Sequence, residues 1–351
     1  MADPFHTALC ERTGCRYPII QTAMGWVATP DLVIASCQAG ALGFLAGAVM
    51  TPPELTTAIA RVKAVTNAPF GVNFHMFQPG AEEIVDIIIR EKVAAVSFGR
   101  GPNADMIARF RDAGILTIPT VGALKHARKV ADLGVDMITV QGGEGGGHTG
   151  GVATTVLLPQ ILDEIDIPVV AAGGFGDGRG LAAALAYGAA GIAMGTRFLL
   201  CKESPVPPGT KDKYLNARGE DIIVSSKIDG LPQRAILNEK LRKIEQSSPL
   251  LRWREAIIAG LELKKQTGAS SLELLRSLRS MTAQSEMTLT QAMMAAASPM
   301  LIRKAIVEGK PEQGIMASGQ VAGRIEEIPS CQELIENIMS DASARIASLC
   351  G

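Results

Sequence analysis

Apolar residues fall into short continuous runs, separated by longer stretches in which they recur every three or four positions. The runs cover residues 18–21, 41–45, 69–73, 93–98, 116–119, 137–140, 169–172 and 191–194. Each reads as a strand buried on both faces, as in a parallel sheet covered by helices. The amphipathic stretches between them predict helices over residues 31–38, 53–65, 81–90, 103–113, 124–133, 155–164 and 178–187.

This regular alternation over residues 1–202 predicts an α/β fold, a (β/α)8 TIM barrel at the short end of its size range. An open doubly wound sheet is the alternative, because periodicity does not show closure. The pattern changes after Arg197. Residues 202–218 are polar and proline-bearing, and helical periodicity resumes over 237–245, 250–266, 271–279 and 288–297. Residues 203–310 are therefore expected to form a helical insertion after strand eight that caps the active site. Residues 311–351 are expected to return the chain to the barrel, with a final amphipathic helix over 331–349 packing on it.

Composition narrows the class. Of 351 residues 47% are hydrophobic, enough for a large core and against global disorder. A net charge of −1 and 4% aromatics exclude a nucleic-acid or anionic-membrane partner. Residues 32–50 are uncharged and long enough to span a bilayer, but they contain Ser36, Gln38 and three glycines and split into a helix and a strand. Six scattered cysteines without CxxC spacing, and an N-terminal stretch without an apolar h-region, lead us to expect a cytoplasmic protein, monomer or homodimer.

The candidate chemistry sits where strands end. Gly173-Gly174 follows the seventh strand and Gly195-Thr196 the eighth, the two places where barrels of this kind bind phosphate on backbone N–H groups. Bare turns are the alternative reading of the same glycines. Gly145-Gly146-Gly147-His148-Thr149-Gly150 follows the sixth strand. It matches a dinucleotide fingerprint in form, but the next helix starts too late for one, near Thr154. The preferred reading is a flexible lip that carries His148, an acid or base near neutral pH. Asn73 and Gln141 end strands three and six with both donor and acceptor, and Met24 either packs on a ring system or fills core. No HExxH spacing or nucleophile elbow is present, so no metal is expected.

These residues resemble the nitronate monooxygenases, formerly 2-nitropropane dioxygenases. The likeness rests on Pro18-Ile19-Ile20-Gln21 with Met24, Phe70-Gly71-Val72-Asn73, Gln141 with Glu144 to His148, Ala172-Gly173-Gly174, Met194-Gly195-Thr196-Arg197-Phe198 and Ala317-Ser318-Gly319-Gln320. The resemblance implies non-covalent FMN held by Ala23, Met24, Asn73, Gln141, Gly146, Gly173, Gly174, Gly195, Thr196 and Gln320, with His148 as catalytic base. It implies a small-molecule substrate: a nitronate, or a nitroalkane after proton loss, oxidised with dioxygen to a carbonyl compound and nitrite. The superfamily also holds NAD(P)H:quinone reductases, which the segment from Phe175 to Gly180 resembles, and flavin-dependent enoyl-thioester reductases. A barrel that binds a phosphate ligand without redox chemistry is a third reading.

Overall fold

The computed structural model of the chain describes residues 3–76, 78, 80–99, 101, 103–247 and 289–350. The chain forms two compact units. The first comprises Met1–Gly145, Thr149–Pro205 and Gly319–Gly351, and the second Gly146–His148 and Val206–Ser318. The strands, in chain order, are β1 (Ile19–Gln21), β2 (Leu42–Ala46), β3 (Phe70–Asn73), β4 (Ala95–Ser97), β5 (Leu116–Thr117), β6 (Thr120–Val121), β7 (Ile138–Gln141), β8 (Gly147–His148), β9 (Val169–Ala172), β10 (Gly191–Met194), β11 (Ile222–Ser225) and β12 (Gln233–Ile236).

The first unit is a parallel sheet in the order β5-β4-β3-β2-β1-β10-β9-β7-β6. Its ends, β5 and β6, are two pieces of one strand. The Ile118 and Thr120 N–H groups donate to Val96 and Phe98 on the β4 side, while Thr117 and Pro119 carbonyls accept from Met137 and Thr139 on the β7 side. That double pairing closes the sheet into an eight-stranded barrel. Pro119 has no N–H to give, so the ladder is interrupted there and the strand divides.

Side chains fill the barrel interior. Ile20, Leu42, Phe44, Ala95, Ile118, Met137, Val170, Ala172 and Ala193 form one buried cluster, which Leu9, Cys10 and Cys15 of the N-terminal segment join. Large and small residues interlock: a Cβ on Gly71 would lie 2.3 Å from the Phe44 ring. Helices cover the outside with their apolar faces, as where Ile84, Val85, Ile87 and Ile88 of Ala81–Arg90 are buried. The final helix, Cys331–Cys350, packs on Gly178–Ala186, where a Cβ on Gly178 would come within 2.4 Å of the Ile338 carbonyl.

The second unit holds helices Pro208–Leu215, Glu239–Gln246 and Leu289–Ile306. The helices expected at residues 250–266 and 271–279 lie outside the described residues. Beside its helices the unit has an antiparallel sheet in the order β11-β12-β8. Ile228, Ala235, Leu241, Ile244 and Ile315 are its core. Asn238 starts Glu239–Gln246 by accepting the Leu241 N–H at 2.9 Å. Tyr214 is fully buried and donates its hydroxyl to the Ala317 carbonyl at 2.8 Å. Among the described residues no helix is long and apolar enough to cross a membrane.

Candidate functional site

Within the first unit, β7, β9, β10, β1, β2 and β3 are consecutive neighbours, so their C-terminal ends make one continuous rim. The rim collects Ala23, Met24, Asn73, Gln141, Gly173, Gly174, Gly195 and Thr196. Thr22 follows β1 and its N–H donates to Met194 at the end of β10 at 3.1 Å. A Cβ on Gly195 would therefore lie 3.2 Å from the Thr22 hydroxyl and 3.5 Å from the Met24 sulfur. The next turn puts Trp26 at φ 61, a left-handed conformation that costs free energy in a residue with a side chain.

The return segment reaches the same rim. The Gly319 N–H donates to the Thr196 hydroxyl at 2.9 Å, and the Gln320 N–H to the Glu144 carbonyl at 3.0 Å. Thr196 thus accepts one hydrogen bond and retains its own proton to donate. The Asn73 amide donates to the Ser97 carbonyl at 3.1 Å, which fixes its orientation.

Glycine is required at the seventh strand's end by both conformation and space. Gly173 and Gly174 have φ of 102° and 82°, and a Cβ on Gly173 would sit 3.0 Å from the Thr154 hydroxyl. Glu144, which the sequence reading did not single out for a role of its own, pins this region. Its carboxylate accepts the Thr154 hydroxyl at 2.7 Å and N–H at 3.0 Å, at the start of helix Thr154–Leu162. Another helix start carries its own anion. Asp177 accepts the Gly180 N–H at 3.1 Å and pairs with Arg179 and Arg324. Burial pushes its carboxyl up, but Arg179 and the Gly180 N–H hold it below the ordinary range. The first turn of Gly178–Ala186 is thus already satisfied. Thr196 opens a separate turn whose leading N–H groups have no partner within their own helix.

His148 and Gly146 belong to the second unit. The loop expected to be a flexible lip instead places Gly147–His148 as strand β8, paired antiparallel to β12 with Gln233 opposite His148. The chain leaves the first unit for three residues only, and the Thr149 hydroxyl closes the neck by donating to the Gly143 carbonyl at 3.1 Å. Beside His148 lies Asp229, whose Oδ2 is 2.7 Å from the imidazole Nε2. The Asp229 side chain is 4% exposed against 46% for His148. The Gln233 amide donates to the same Oδ2, the Leu231 N–H donates to Oδ1 at 3.1 Å, and Ser298 lies 3.4 Å from the Gln233 amide. Burial pushes the Asp229 carboxyl up, yet the hydrogen bonds it accepts from His148, the Leu231 N–H and the Gln233 amide hold it below the usual carboxylate range.

A closed parallel barrel with left-handed glycine turns after its seventh strand defines a class: the (β/α)8 barrels, whose sites lie at the C-terminal ends of the strands. More closely, the chain belongs to the nitronate monooxygenase family of oxidoreductases, whose pattern matches residues 6–86 and 77–341. It is 49% identical over 344 residues to the (3aS,4S,5R,7aS)-5-hydroxy-7a-methyl-1-oxo-octahydro-1H-indene-4-carboxyl-CoA dehydrogenase of Rhodococcus jostii, covering 98% of this chain and 97% of that one. Among solved structures it resembles FabK of Thermotoga maritima, with a TM-score of 0.80, 33% identity and 98% of both chains covered. It also resembles a nitroalkane oxidase of Streptomyces ansochromogenes, with a TM-score of 0.79, 27% identity, and 98% of this chain and all (100%) of that one covered.

Proposed function

We propose that the chain is an FMN-dependent oxidoreductase that dehydrogenates a coenzyme A thioester, with His148 as the base. One observation carries this reading: the 49% identity with the Rhodococcus carboxyl-CoA dehydrogenase runs through 98% of this chain. A likeness of that extent takes in the barrel rim and the second unit alike.

The first unit's residues suit the cofactor. Gly195 leaves open a space that a Cβ would crowd against Thr22 and Met24, and Thr196 keeps a hydroxyl proton for a phosphate oxygen. Backbone N–H groups at Gly174, Gly195 and Thr196 add donors suited to an anion. Met24 offers a soft, polarizable surface for a ring, and Asn73 and Gln141 offer donors and acceptors for its edges. Ala23, Gly173 and Gln320 complete the set by position.

A thioester carbonyl acidifies the carbon next to it. His148 takes the proton from that α carbon, and the electrons of the C–H bond become a C=C bond as hydride leaves the β carbon. When bound, FMN supplies the acceptor for that hydride. Proton and hydride together account for the two hydrogens lost. The family match favours a second reading, because a nitroalkane is also a carbon acid beside an electron-withdrawing group. There the products are a carbonyl compound and nitrite, with dioxygen as co-substrate.

The test is anaerobic mixing of the FMN-loaded protein with a saturated cyclic acyl-CoA, with propionate 3-nitronate and with NADH, each alone. We expect the acyl-CoA to bleach the flavin band. Bleaching by nitronate alone selects the second reading, and bleaching by NADH alone makes the enzyme a reductase. A protein that binds no FMN removes the flavin from all of them.

A further inference from the structure

We propose that Asp229 is the positioning residue of His148: it holds the imidazole as the Nε2–H tautomer, so that Nδ1 is the atom that receives the substrate proton. The proposal rests on the reading of His148 as a base, and it concerns which of its two nitrogens does the work.

The geometry dictates the tautomer. An ionised carboxylate only accepts hydrogen bonds. Asp229 is held in its ionised form by the hydrogen bonds around it. An imidazole nitrogen 2.7 Å from its Oδ2 must then be an N–H donor, and in a neutral ring the other nitrogen must carry the lone pair. The Gln233 amide nitrogen also approaches Nε2, at 3.2 Å. Two donors do not bond to each other, so the amide's hydrogens go to Asp229 and toward Ser298, where acceptors lie. The described contacts of His148, Asp229 and Gln233 thus agree on one assignment of protons.

The placement is built into the sheet. Gln233 stands opposite His148 across β12 and β8, which sets the Gln233 amide beside the imidazole. Asp229 is fixed through both oxygens, Oδ1 by the Leu231 N–H and Oδ2 by Gln233. A carboxylate so buried and restrained cannot swing away as the proton arrives. When His148 becomes cationic, the fixed negative charge offsets it, an arrangement that is preorganised. A plain structural staple between β8 and Asp229 would make the same contacts but would leave the rate of proton transfer untouched.

The experiment has two readouts. Selective 15N labelling of histidine, with His148→Asn to assign the signal, reports the tautomer without any substrate. We expect an Nε2–H signal in the native protein and conversion to Nδ1–H in Asp229→Asn, whose amide can donate to Nε2. The second readout is anaerobic flavin reduction by the acyl-CoA. Asp229→Asn is expected to lower its limiting rate roughly 10²–10⁴-fold, the usual worth of a general base, with little change in substrate affinity. Asp229→Glu is expected to recover part of that loss. An Nδ1–H tautomer in the native protein overturns the proposal even if neither Asp229 variant folds. A converted tautomer with an undiminished rate also overturns it. Retained activity in His148→Asn sinks the base assignment instead, so the two failures are told apart.

Discussion

The barrel rim and the histidine cluster of the second unit solve the problem of placing polar groups in opposite ways. On the rim the space is made by glycines through the side chains they lack: Gly173 and Gly174 in left-handed turns, Gly195 beside Met24. In the second unit the polar groups are side chains, and Asp229 is 81 residues from the histidine it touches. Backbone donors come free with any strand end that turns tightly. A buried carboxylate is stable only if a whole constellation satisfies it, here His148, Gln233 and the Leu231 N–H. The rim should therefore tolerate polar substitution and resist added volume, while the cluster should tolerate volume and resist loss of charge.

Four measurements press on that contrast. The largest effect is expected from His148→Asn, which should retain FMN and lose turnover by about 10²–10⁴-fold. A variant that loses its flavin would show that the two regions cannot be treated apart. Gly195→Val should do the reverse. Overpacking of about 1–3 kcal/mol should weaken FMN roughly tenfold to a hundredfold in a fluorescence titration, with the far-ultraviolet dichroism unchanged. Unchanged affinity would mean that the space beside Thr22 and Met24 is not used by the cofactor. Thr196→Val removes one hydroxyl donor and the acceptor of the Gly319 N–H, and about tenfold weaker FMN binding is expected.

The smallest effect is in acid. The folded Asp229 carboxyl sits below its unfolded value, so its contribution is present above the ordinary carboxylate range and is lost as pH falls through the folded value. Denaturant melts below about pH 4 should show native stability falling faster than that of Asp229→Asn. Parallel curves would show that Asp229 adds nothing to the acid limb.

What could be read in advance followed from range along the chain. Barrel strands and helices are local patterns, and the rim glycines are local turns, so both were legible. Pro119 was read as the end of its strand, whereas the chain continues through it to Val121 and closes the barrel. Strand β8 was read as a loop because two residues between glycines carry no periodicity. Asp229 escaped notice for a different reason. Asp229-Gly230-Leu231-Pro232 lies between β11 and β12 in a stretch read as part of a helical insertion, where Asp229-Gly230 is at most a turn signal. Nothing in that signal says which distant residue the hairpin will meet, because a third strand joins by tertiary packing alone.

The three residues Gly146–His148 bear on how such an enzyme can change over generations. A lineage that discarded or exchanged Val206–Ser318 would take away β12, the strand against which His148 is paired, together with Asp229 and Gln233. The insertion is thus not a detachable accessory. The rest of that segment is free to vary, but His148, Asp229 and Gln233 hold their places only together.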